Sequence, residues 1–211
     1  MSGINIRIGD SSCADFVETH YRKEFCELEL EYLDGSISGI LNLLDTGRMF
    51  IAYMGDTPVG FYGFTPLLRH QESMEHILMT ITLGEEKNRE RDEAYYAGLV
   101  EKIGKGSVLV KYYDTIFTRG DYQVDKKDYM TDTLVVAGSF RRKGIGRALL
   151  QEVIKHATDS GATAIFSDVR HSDPIWNLVK SEGYKEIFTG GPLYSNGEPG
   201  TVFGKILTEK T

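Results

Sequence analysis

A mixed α/β fold is what this sequence predicts, and three observations carry it. The last third alternates short apolar runs with helical stripes in the order β-loop-α-β-α-β. Residues 49–64 form two apolar runs separated by Gly55-Asp56, the pattern of a hairpin. Hydrophobic residues make up 41% of 211, enough to build a core without metals or disulfides. No proline-rich linker or internal repeat divides the chain, so one domain over 1–211 is the preferred organisation.

The elements follow in order. Ile4, Ile6 and Ile8 alternate with polar neighbours as a half-buried strand does. Asp10, Ser11 and Ser12 offer capping oxygens to a helix whose apolar face is Val17, Tyr21, Phe25, Leu28 and Tyr32. A second short helix is expected from Ser36 to Leu44. Met49 to Tyr53 and Val59 to Phe64 are the hairpin strands. A helix over Glu85 to Ile103 and strands at Ser107 to Tyr113 and Thr115 to Phe117 are expected next, in no determined order. Thr133 to Val136 reads as a short strand, and a loop from Gly138 to Lys143 leads to a helix. That helix carries Ile145, Leu149, Val153 and Ala157 at i, i+4 spacing, and Gly161 stops it. Thr163 to Ser167 is a further strand. Asp173-Pro174 starts a helix with Ile175, Leu178 and Val179 inward, which Gly183 closes. Tyr184 to Phe188 and Thr201 to Leu207 are the last two strands. The single tryptophan, Trp176, reads as a packing anchor.

Charge and cysteine content narrow the function. The net charge of −7 argues against a protein held on nucleic acid by counterion release. Two cysteines, Cys13 and Cys26, are too few for a disulfide scaffold and suit a reducing compartment. No apolar run reaches the ~18–20 residues of a membrane span, and MSGINIRIGD carries no signal-peptide core. A cytoplasmic protein without nucleic-acid or membrane partners is expected.

The chemistry concentrates between residues 141 and 147. Arg141, Arg142, Lys143 and Arg147 are basic, and Gly144 and Gly146 allow close backbone approach where a helix begins. A helix N-terminus presents unpaired N–H groups and a positive partial charge, so the stretch suits a phosphate or pyrophosphate. The plainer alternative is a glycine-rich turn with solvated charges. No G-x-x-x-x-G-K-[ST] string exists in the chain, and Gly144-Ile145-Gly146 lacks the third glycine of a dinucleotide fingerprint.

The match is instead to R-x-x-G-x-G after an L-x-V strand. In Leu134-Val135-Val136, in Phe140 through Gly146 and in Leu149-Leu150, the chain resembles the GNAT superfamily of N-acetyltransferases. The strand Ala164-Ile165-Phe166 and the helix ending Ser181-Glu182-Gly183-Tyr184 extend the resemblance over roughly 131–190; the segment of about 65–130 stays unaligned. The resemblance implies a three-layer fold: a twisted mixed sheet splayed at its two central strands, Thr133–Val136 and Thr163–Ser167, with helices on both faces. It implies that acetyl-CoA enters the splay as a co-substrate, its pantetheine arm meeting the main chain of Leu134, Val135 and Val136 like an added strand. Arg141, Arg142, Lys143, Gly144, Ile145, Gly146 and Arg147 would then cradle the pyrophosphate. No metal is expected, and a homodimer stays open.

The implied reaction is direct attack of a primary amine on the thioester. An alkylammonium near pKa ~10.4 must first lose a proton. Asp132, at the start of the strand leading into the loop, and His171, just past the second central strand, are the candidate bases. A capping aspartate and a structural histidine are the plainer alternatives. In the family a tyrosine often stands four residues before the Gly-aromatic pair; Val179 stands there in this chain, and Ser172 replaces the asparagine often found seven residues earlier. Tyr184 or Tyr194 could substitute, or the thiolate leaves unassisted. The acidic run Glu24, Glu27, Glu29, Glu31 and Asp34 either lines a site for a cationic amine or is a solvated face. Two further readings are a non-catalytic CoA-binding or protein-interaction module on this fold, and a site for an unrelated nucleotide or phosphorylated partner.

Overall fold

The computed structural model describes residues 3–26, 30–66, 128–192 and 199–207. In chain order they form β1 (Ile4–Ile8), α1 (Ala14–Glu24), α2 (Leu30–Asp45), β2 (Met49–Met54), β3 (Thr57–Pro66) and β4 (Tyr129–Val136). There follow α3 (Ile145–Asp159), β5 (Ala164–Arg170), α4 (Ile175–Ser181), β6 (Lys185–Pro192) and β7 (Pro199–Ile206). Short 3-10 turns at Ser11–Cys13 and Gly138–Phe140 precede α1 and α3. The helix expected at 85–103 and the strands expected at 107–117 lie outside the described residues.

The strands make one mixed sheet in the order β1-β2-β3-β4-β5-β7-β6. Helices cover both faces, and β2 shows why its sequence is an unbroken apolar run rather than an alternating one. Met49, Ile51 and Tyr53 pack with Val17, Tyr21, Ile37, Ile40 and Leu44 of α1 and α2. Phe50 and Ala52 turn the other way, onto Ile145, Leu149, Val153 and Ala157 of α3. The predicted stripe of α3 is therefore its buried face, each member at most 1% exposed. Gly55 turns the hairpin at φ +61°, and Gly161 ends α3 at φ +78°.

Three expectations need correction. The first helix does not run on to Tyr32: α1 ends at Glu24, and Phe25 leaves the helical region at φ −114°, ψ 33°. The second helix starts at Leu30 rather than Ser36. Helix electrostatics accounts for both, because carboxylates are unfavourable at a helix C-terminus and favourable at an N-terminus. Of the acidic run, Glu24 is the last residue of α1, and Glu31 and Asp34 belong to the start of α2. Third, the strand expected at Thr163–Ser167 is displaced to Ala164–Arg170. Buried Asp128 sets that start. Its Oδ1 accepts from the Thr163 amide (2.8 Å), the Ala164 amide (2.9 Å) and the Thr163 hydroxyl (3.1 Å).

The central seam determines where a site can form. Strands β4 and β5 are parallel and pair only at Tyr129↔Ile165, Met130↔Phe166 and Thr131↔Ser167. Beyond that point β4 stays with β3 as far as Val136↔Gly60, and β5 stays with β7 as far as Arg170↔Gly200. The sheet therefore forks after Thr131. At the same place β4 bulges: Asp132 and Thr133 together oppose Gly63, since Tyr62 pairs with Leu134 and Phe64 with Thr131. Glycine is required there. A Cβ on Gly63 would lie 2.8 Å from Leu43 Cδ1 and 3.0 Å from Asp132 Cβ.

Candidate functional site

The loop between β4 and α3 is shaped by two left-handed residues, Gly144 at φ +80° and Arg142 at φ +62°. For a non-glycine residue that conformation is uncommon and strained. Helix α3 starts with no side-chain cap and no acidic residue in its first turn. Its leading amides are left to whatever approaches from outside the helix. Gly146 faces a cleft: a Cβ there would sit 3.6 Å from Leu134 Cδ2, 3.7 Å from Leu178 Cδ2 and 3.9 Å from Val136 Cγ2. That cleft is a cavity of about 290 Å³, walled by apolar side chains of β4, α3 and α4 with Glu24, Arg141 and Arg142 among its polar residues.

The main chain of β4 runs beside this cleft. The Ala137 amide bonds to Val59 O at 2.9 Å. By the alternation of antiparallel strands, Val135 also directs its peptide groups at β3, whereas those of Leu134 and Val136 face the fork, where β5 no longer pairs with them. The side chain of Val135 is buried on the α1–α2 face. Of the predicted cofactor residues, Leu134, Val136, Arg141, Arg142, Gly144, Ile145 and Gly146 line the cavity.

The basic side chains are partly committed. Arg141 donates from Nε to Val136 O (3.0 Å) and forms an ion pair with Glu24 of α1. Lys143 lies 4.9 Å over the Phe140 ring. Arg147 turns to the far end of α4, 2.9 Å from Glu182 Oε1 and 2.9 Å from Ser181 Oγ. An anion at the loop therefore meets backbone amides and the Arg141–Arg142 end of the basic run.

Two carboxylates flank the fork. Asp132 and Asp168 each follow directly after the last pair, Thr131↔Ser167. Both face α1 and α2: Asp132 sits beside Leu43 across Gly63, and Arg170, two residues past Asp168, lies 5.4 Å from the Phe25 ring. Asp132 Oδ1 accepts from the Thr133 amide (2.8 Å) and hydroxyl (3.1 Å) and remains exposed. Asp168 is half-buried. Desolvation, and then the negative charge of Asp132, push its carboxyl up to about 6. The sequence reading missed Asp168, although a carboxylate inside the apolar run Ala164 to Val169 was a usable signal.

His171 is placed differently from Asp132. Its Nε2 lies 3.0 Å from Thr201 Oγ1 and its ring packs edge-on against Trp176 at 4.2 Å. Trp176 in turn packs against Phe203 at 4.8 Å, as an anchor would. Val179 is fully buried among apolar side chains. Of the acidic run, Glu24 reaches the cavity. Among the described residues no group of three or more His, Cys, Asp or Glu could hold a metal, and no helix is long and apolar enough to cross a membrane.

Comparison with known proteins accords with this geometry. The family model for the Acetyltransferase (GNAT) family matches residues 12–178. A structure of agmatine N-acetyltransferase superposes with a TM-score of 0.67 at 17% identity, covering 97% of this chain and 100% of that one. The yncA putative acetyltransferase of Salmonella typhimurium, solved with its cofactor acetyl-CoA, gives 0.60 at 12% identity, with 100% and 97% covered. Ard1 from Thermoplasma volcanium gives 0.60 at 13% identity, with 98% and 99% covered. No curated protein matches the sequence significantly. At these identities the structural likeness is one of fold. The family match, spanning most of the chain, establishes that it belongs to the GNAT family of acetyltransferases.

Proposed function

We propose that the protein is an acetyl-CoA-dependent N-acetyltransferase whose acceptor is a primary amine. The observation that carries this reading is the fork itself: β4 and β5 part beside an uncapped helix N-terminus, and one cavity joins the freed edge of β4 to that N-terminus. The acetyl-CoA-bound Salmonella neighbour supports the donor, and the agmatine enzyme supports a cationic amine as acceptor.

Each group in the cleft has a task. The α3 amides, with Arg141 and Arg142 beside them, hold the pyrophosphate. The fork-facing peptide groups of Leu134 and Val136 hold the pantetheine arm, and Leu178 and Ile175 exclude water from its other side. Bound there, the thioester supplies an activated acetyl group. Asp132, exposed on the opposite face, attracts the ammonium form of the acceptor. Asp168 takes its proton, because a carboxyl raised to about 6 is a stronger base than an ordinary aspartate.

Free thiol released from acetyl-CoA, followed across polyamines, agmatine, aminoglycosides and lysine peptides, tests the reading. Amine-dependent release is expected from at least one class. Val179 favours the alternative of a CoA-binding module without turnover. Binding without release from any amine would establish that alternative instead.

A further inference from the structure

Glu24 stands where electrostatics disfavours a carboxylate. It is the last residue of α1, at the negative end of the helix dipole, and it lines the cavity beside Arg141 and Arg142, where its charge opposes any incoming phosphate. Its ion-pair partner is Arg141. The same guanidinium also covers the open seam. After β4 ends at Val136, the 3-10 turn Gly138–Phe140 redirects the chain, and Arg141 leaves that turn extended at φ −62°, ψ 158°. Its side chain reaches back over five residues, so that Nε donates to Val136 O at 3.0 Å while an Nη donates to Glu24. Val136 O is one of the peptide groups that face the fork, where no strand pairs with it. A single side chain thus holds a carbonyl of the freed edge and is itself held by α1. The hold is light. The Arg141 and Glu24 side chains are 48% and 36% exposed, and an exposed ion pair is worth only about 2–5-fold in an equilibrium constant. A pyrophosphate, with two anionic groups and bidentate geometry, is a stronger partner for a guanidinium than one exposed carboxylate.

We propose that Arg141, held by Glu24, is a gate over the donor site that makes the choice of donor depend on its pyrophosphate. The proposal rests on the acyl-CoA reading of the cleft. With the gate closed, Arg141 occupies the Val136 carbonyl that a pantetheine arm needs, and covers a peptide edge that would otherwise lie open. A donor that carries a pyrophosphate draws the guanidinium off Glu24 and Val136 and onto its phosphates, and the edge is freed as the arm arrives. An acyl-pantetheine without that group must displace Arg141 with nothing to receive it. Arg141 is therefore the specificity-determining residue. Glu24 is a positioning residue that acts through Arg141.

Binding of two donors, acetyl-CoA and uncharged acetyl-pantetheine, to four proteins tests this without turnover. The proteins are wild type, Arg141→Ala, Glu24→Gln and the double variant. Arg141→Ala should bind acetyl-CoA about 10-fold more weakly, because a charged hydrogen-bond donor to the phosphates is lost. The same variant should bind acetyl-pantetheine about 2–5-fold more tightly than wild type, because the Val136 carbonyl is uncovered. An arginine that served only to hold phosphate would leave acetyl-pantetheine unchanged. Glu24→Gln loosens the gate and should tighten both donors by about 2–5-fold. In the Arg141→Ala background it should change neither, since Glu24 acts only through Arg141. No gain in acetyl-pantetheine affinity in either single variant would overturn the proposal. So would a Glu24→Gln gain that is confined to acetyl-CoA or persists without Arg141, either of which marks plain repulsion of phosphate. Failure of wild type to bind acetyl-CoA would instead overturn the reading beneath it, and the two failures are distinguishable.

Discussion

Strand β4 has two edges with different fates. Along β3 its ladder continues to Val136, and both faces of that seam are buried, by α3 on one side and by α1 and α2 on the other. Along β5 the ladder stops after Thr131. Exposed peptide edges are normally paired, covered or blunted, so an edge opened inside a sheet has to be held open by its surroundings. The contrast is between a seam closed on both faces and a seam that leaves a peptide edge of β4 without a partner strand, the edge that the proposed function gives to the pantetheine arm.

Substitutions can break either seam. The largest effect is expected from Asp168→Asn at the open one, a loss of roughly 10²–10⁴ in kcat with acetyl-CoA binding retained, read by steady-state kinetics and titration. Its pH dependence follows from the raised carboxyl. A base must be ionised, so activity should fall as pH drops through about 6. Stability should move oppositely. A carboxyl raised on folding contributes stability below its ordinary value near 4 and loses it as pH rises through about 6. Asp168→Asn should therefore melt higher than wild type at pH 8, and a lower melting temperature there would contradict the assignment.

Leu149→Ala attacks the closed seam. It removes a fully buried contact of α3 with the sheet and should cost about 2–5 kcal/mol in denaturant unfolding. Asp128→Ala acts on the fork from its closed end. It strips the acceptor from the Thr163 and Ala164 amides, a loss of about 1–3 kcal/mol. Acetyl-CoA affinity should fall with it, because the start of β5 is no longer held in register. Undiminished affinity would show that the fork does not depend on that anchor. The smallest effect belongs to His156, packed against Phe64 at 4.8 Å and Phe50 at 5.6 Å and held below its ordinary pKa, chiefly by burial. The folded state disfavours its charged form, so stability should decline as pH falls below about 6.5. His156→Gln should reduce that decline between pH 7 and pH 5.

What was legible in the sequence was local. The α3 stripe, the Gly55 turn, the Gly161 stop and the Asp173 oxygen that accepts from Ile175 N at 3.1 Å all arise from periodicity or from near neighbours. The loop before α3 was legible for the same reason, with its basic residues, glycines and helix start within seven positions. The fork was legible only through family resemblance. Its physical causes act across distance: Asp128 reaches over 35 residues to Thr163, and the Asp132–Thr133 bulge depends on Gly63. Asp168 had a local signal, a carboxylate within an apolar run, but its nearness to Asp132 depends on the pairing of β4 with β5 and is not written in neighbouring residues. The break between α1 and α2 was missed because an apolar stripe was weighed above the electrostatics of helix ends.

Titration calorimetry with acetyl-CoA, on wild type and on Gly146→Trp, tests the acyl-CoA site most directly. Wild type should bind at a single saturable site. An indole at 146 would fill the cleft between Leu134, Val136 and Leu178, so the variant, shown folded by circular dichroism, should not bind. Equal binding by both proteins, or none by wild type, would contradict the site assigned to the fork.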